Sequence, residues 1–100
     1  MKVFIKLINQ NQVINIFADD EEKGVYLNDK LVEVDAKYFV GRVAVITSSW
    51  DEKMIDNSKV DGISYKVKLV KGEREKVFEG KNMFPKNYDE FDSLIGEVLD

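Results

Sequence analysis

The acidic side chains of this chain gather in two clusters, and these are the first candidates for chemistry. Asp19, Asp20, Glu21 and Glu22 are consecutive, while Asp51, Glu52, Asp56 and Asp61 share a second polar stretch. Two carboxylates that face each other across a cleft can act as general acid and base. Carboxylates at fixed offsets around a glycine can hold calcium. The calcium spacing fails in both clusters, because counting back from Gly24 and from Gly62 puts Lys23 and Lys59 at ligand positions. Both clusters therefore read as solvated turns, and neither a metal nor a cofactor is expected.

Nucleophilic chemistry has little to work with. The chain contains no histidine and no cysteine, which removes the Ser-His-Asp triad, Cys-His pairs and zinc sites of the usual kind. A serine activated by a lysine remains, with Ser48 or Ser49 near Lys53, but Ser-Ser at the end of an element is ordinary turn chemistry. Arg42 reads as a solvated strand position. Trp50 admits two roles, a plug in the core or a flat contact surface beside the second acidic cluster. The candidate binding set is Trp50, Asp51, Met54, Ile55 and Asp61, with Met54 and Ile55 as an apolar pair rimmed by acids.

Charge and composition narrow the partners. The net charge is −4 and the 34% of charged residues mix both signs, so no basic patch for nucleic acid is expected. Lys66, Lys68 and Lys71 come nearest, and Glu73, Glu75 and Glu79 follow them closely. No run approaches the ~20 apolar residues that span a bilayer, so no membrane partner is expected. Without cysteine there is no disulfide framework, and a cytoplasmic location follows as an expectation.

The elements that must position these residues fit one domain over residues 1–100, with 44% hydrophobic residues and a single proline. Strands are predicted at Val3 to Ile8 and Val13 to Ala18 with apolar residues on both faces, implying partial burial on each side. Asn28-Asp29 predicts a tight hairpin in which Val25 opposes Val32 and Tyr26 opposes Leu31. The β-branched run from Tyr38 to Ser48 predicts a long central strand with a bulge at Gly41, closed by Trp50. Tyr65 to Val70 alternates, and a turn at Gly72-Glu73 sets Val67 opposite Phe78 and Lys66 opposite Glu79. The segment from Asp51 to Gly62, with a turn at Asp61-Gly62, reads as the longest loop. A closing helix begins at Asn87 as N-cap with Glu90 completing a capping box, and Tyr88, Phe91, Leu94, Ile95, Val98 and Leu99 form its apolar face.

Trp50, Asp61-Gly62 with Tyr65, and Gly80-Lys81-Asn82-Met83-Phe84-Pro85-Lys86-Asn87-Tyr88 leading to Phe91 form one pattern. Over about residues 46 to 95 it resembles a group of small uncharacterised bacterial proteins with a Trp-ended strand, a DG-x-x-aromatic strand start and a G-x-N-x-aromatic-P lead into a C-terminal helix. The resemblance implies that fold and no activity.

The sequence thus predicts an α+β domain, a curved antiparallel sheet of six or seven strands, sandwich-like or half-barrel, with one C-terminal helix packed on it. The function expected is a non-catalytic protein-interaction or accessory module centred on the Asp51–Gly62 loop. An open sheet edge would offer a route to a homo-oligomer. The competing reading is a small-molecule or sugar-binding domain, extending to a carboxylate-dependent enzyme, built around Trp50 and the acids after it.

Overall fold

The computed structural model describes residues 1–22, 24–58 and 62–100. Among the described residues, seven strands and two helices follow in the order β1 (Lys2–Asn9), β2 (Gln12–Asp19), β3 (Gly24–Leu27), β4 (Lys30–Val32), α1 (Ala36–Thr47), β5 (Lys53–Ile55), β6 (Ile63–Lys71), β7 (Arg74–Lys81) and α2 (Tyr88–Leu99). All strands join one open sheet in the order β4-β3-β2-β1-β6-β7-β5, antiparallel except for the short β5–β7 pair. The protein is therefore α+β with a curved, mostly antiparallel sheet.

Local turn chemistry sets the registers. Asn28 and Asp29 adopt φ of 48° and 69°, the paired left-handed geometry that closes a two-residue hairpin. Val25 consequently faces Val32 and Tyr26 faces Leu31. Gly72, at φ 61°, turns β6 into β7 and places Val67 opposite Phe78 and Lys66 opposite Glu79. Both pairings match the sequence-based registers. Gly80 is required for a different reason: the Tyr65 ring lies over its backbone, where a Cβ would collide with it.

The segment from Tyr38 to Ser48 is a helix, correcting the central strand expected there. Its β-branched content favours a strand only weakly, and two helical signals override it. Asp35 caps the start, its side chain accepting from the Tyr38 amide at 3.1 Å. Ala36, Phe39, Val40, Val43, Ile46 and Thr47 are buried at the three-and-four spacing of one helical face, whereas Val45 is 64% exposed. At the C-terminal end the Ser48 hydroxyl donates to the Val45 carbonyl at 2.7 Å. The seventh strand is instead β5, inside the stretch expected to be a loop.

Both helices cover the same face of the sheet. One core joins Val3 and Ile5 of β1, Ile16 and Ala18 of β2, Val67 of β6 and Phe78 of β7 to the buried sides of the helices, including Phe91, Leu94, Ile95 and Val98 of α2. Asn87 does occupy the N-cap position of α2, but its side chain makes no cap bond. It binds Trp50 and α1 instead.

Candidate functional site

The first acidic cluster singled out by sequence serves the fold. Asp19 is buried and its side chain accepts from the Glu21 amide at 3.0 Å, so it closes the turn after β2. Trp50 is 6% exposed and lies among Phe78, Phe91, Tyr65 and Tyr88, with ring centroids 5.1 to 6.2 Å away. Its indole is core, and its Nε1–H donates to the Asn87 side-chain oxygen at 2.7 Å. Asp51 is exposed beside it. Met54 and Ile55 are neighbours on β5 and therefore face opposite sides of the sheet. Met54 is partly buried opposite Gly80, and Ile55 is exposed opposite Lys81. Asp61 and the Asp61-Gly62 turn lie outside the described residues. Among the described residues, no three His, Cys, Asp or Glu side chains come together as a metal site.

Burial shifts two phenols in the aromatic cluster. Tyr88 is pushed up to about 12, first by burial and then by the nearby Asp92 carboxylate and by Tyr65. Tyr65 is raised by burial alone, and its hydroxyl donates to the Met83 carbonyl at 3.2 Å. Neutral phenols held this way pack and do not act as bases. The residues of the pattern seen in sequence, Trp50, Tyr65, Phe84, Tyr88 and Phe91, are this cluster. The pattern is a packing motif.

What the sequence reading missed is the other face of the sheet, which neither helix covers. Successive registers chain into rungs across it. Tyr26 of β3 faces Phe17 of β2, Phe17 faces Phe4 of β1, and Phe4 faces Lys68 of β6. The row continues to Leu31 on one side and Val77 on the other. The rings of Phe4 and Phe17 are 4.9 Å apart and those of Phe17 and Tyr26 6.2 Å, while Lys68 Nζ lies 5.4 Å from the Phe4 ring centre. Phe4 remains 40% exposed and Leu31 67%. The apolar residues on both faces of β1 and β2 thus do not report burial on both sides. Phe4, Ile8 and Val13 stand exposed on the uncovered side.

The next rung is polar: Asn15 faces Lys6, Lys6 faces Lys66, and Lys66 faces Glu79. Lys66 reaches Glu79 at 3.6 Å and Lys68 reaches Glu75 at 3.2 Å. The aromatic and lysine rungs line a concavity of about 650 Å³, bordered by Glu22 and Asp29. It sets an apolar strip beside a cationic one on the sheet. The signal in sequence was the alternation of Phe4 and Lys6 with buried Val3 and Ile5, and of Phe17 and Asn15 with buried Ile16 and Ala18.

No helix among the described residues is long and apolar enough to cross a membrane. No known protein family, curated protein or solved structure matches the chain.

Proposed function

We propose that this protein is a non-catalytic binding module that engages a protein partner through the uncovered face of its sheet. The observation that carries the reading is the row Tyr26, Phe17, Phe4, three aromatics side by side on an element already stabilised by helices on its other face. Exposed apolar patches rimmed by polar residues mark interaction surfaces, and aromatics are enriched at the centres of interfaces. Scale supports a macromolecule over a small molecule. The row that runs from Leu31 through Tyr26, Phe17, Phe4 and Lys68 to Val77 crosses six strands at ~4.8 Å spacing, a span of roughly 24 Å, longer than a small ligand needs. A small-molecule site would instead enclose most of its ligand. Ile55 lies on this face, which gives part of the segment from Asp51 to Gly62 a place in the surface. Lack of cysteine suits a partner in a reducing compartment such as the cytoplasm.

The test is affinity capture followed by titration of the purified partner. It compares wild type, a Phe4→Thr, Phe17→Thr double variant and a Met54→Ser, Ile55→Ser double variant, all shown to melt cooperatively. The reading expects the Phe variant to lose the partner and the Met-Ile variant to weaken it modestly. Retention by a folded Phe variant overturns it.

A further inference from the structure

Lys6 and Lys66 stand directly opposite each other at the centre of the sheet, on neighbouring strands β1 and β6. Like charges placed this way are destabilising, so the fold gains nothing from the pairing. Lys6 has no ion-pair partner among the described residues, and Lys66 reaches only the partly buried Glu79 at 3.6 Å. By strand register, the uncovered face carries six lysines (2, 6, 53, 66, 68 and 81) against three carboxylates (19, 75 and 79), and Glu22 and Asp29 at its border bring the carboxylates to five. This face is therefore net positive on a chain whose net charge is −4. The excess sits beside the aromatic row.

Resting on the binding-module reading above, we propose that the partner is a protein presenting an acidic surface with apolar side chains. Its carboxylates occupy the space over Lys6 and Lys66, and its apolar groups lie on Phe4 and Phe17. Charge complementarity carries the assignment, since opposite potentials across an interface steer encounter and fix register. Nucleic acid fits less well. Glu75 and Glu79 pair with Lys68 and Lys66, and Glu22 and Asp29 border the concavity, so a continuous polyanion would meet carboxylates on both sides. A second copy would have to offer its α2, which carries Asp89, Glu90, Asp92 and Glu97 and no basic residue. Head-to-tail contact of that kind is an outcome that the test separates.

The probe is a synthetic peptide alternating Glu with Leu and Phe, titrated into the whole protein while amide NMR shifts are followed. A Lys-for-Glu peptide, an oligothymidine and a dilution series of the protein alone serve as comparisons. The proposal expects shifts in β1, β2 and β6 with the Glu peptide only, weakened about tenfold in a Lys6→Gln, Lys66→Gln double variant and weakened by salt. That variant should melt no lower than wild type, because it removes a like-charge pair. Equal binding of both peptides overturns the acidic partner while leaving an apolar docking face. No peptide binding, tighter binding of oligothymidine, concentration-dependent self-association through the face, or a destabilised Lys variant each overturn the proposal. Loss of Glu-peptide binding in the Phe4→Thr, Phe17→Thr variant tests the underlying face separately.

Discussion

The Trp50 indole N–H donates to the Asn87 side-chain oxygen at 2.7 Å, and the same amide donates through Nδ2 to the Ile46 carbonyl at 2.9 Å. One side chain at the entry to α2 thereby ties the core tryptophan to the end of α1. Asn87→Ala leaves a partly buried indole donor without its partner, which costs about 1–3 kcal/mol. Asn87→Asp retains the acceptor and loses the donor, so it should fall between. Urea unfolding followed by Trp50 fluorescence measures both, and a loss for Asn87→Ala within the ~0.5 kcal/mol typical of surface changes would show that the bridge is incidental.

Gly41 sits on the exposed side of α1, and a Cβ built there meets nothing within 4 Å. In a helix, alanine at such a position stabilises by about 0.5–1 kcal/mol, through helix propensity and a less flexible unfolded chain. In a strand bulge the same change would be destabilising. Gly41→Ala should therefore raise the melting temperature by several degrees, as expected for a stabilisation of this size in a domain of about 100 residues. A fall would contradict the helix.

Tyr88 gives the stability an alkaline limit. Its phenol titrates near 10.0 when unfolded and is held at about 12 in the fold by burial, Asp92 and Tyr65. The unfolded chain loses this proton first, so the stabilising contribution is complete below pH 10 and fades between pH 10 and 12. Tyr88→Phe removes that dependence. Between pH 9 and 11.5 the variant should lose less stability than wild type, measured as the difference in urea midpoints. Parallel losses would show that Tyr88 ionises as it does in solvent.

The local parts of this architecture were legible in the sequence. Asn28-Asp29 and Gly72 dictate tight turns, and the pairs Val25 with Val32 and Val67 with Phe78 follow from counting outward. The α1 helix was missed because Val40, Val43, Val45, Ile46 and Thr47 suggest a strand. The spacing of its buried face and the cap at Asp35 were the better guide. The binding face was hidden for a topological reason. Phe4 and Lys68 become neighbours only once β6 is inserted beside β1, and no local signal encodes that pairing across more than sixty residues. Trp50 drew attention as a lone tryptophan beside acids, but its type is explained by packing.

The most direct test of the central claim is site-specific photo-crosslinking, with a benzophenone side chain placed in turn at position 17 on the uncovered sheet face and at position 93 on α2. Crosslinked products are identified by mass spectrometry and the partner's affinity is then measured with purified components. The account predicts one discrete partner captured from position 17 and not from 93, with an affinity that drops at least about a hundredfold in the Phe4→Thr, Phe17→Thr variant, the scale of losing two central aromatic contacts. Capture from position 93 alone, or an affinity unchanged by the double variant, would contradict it.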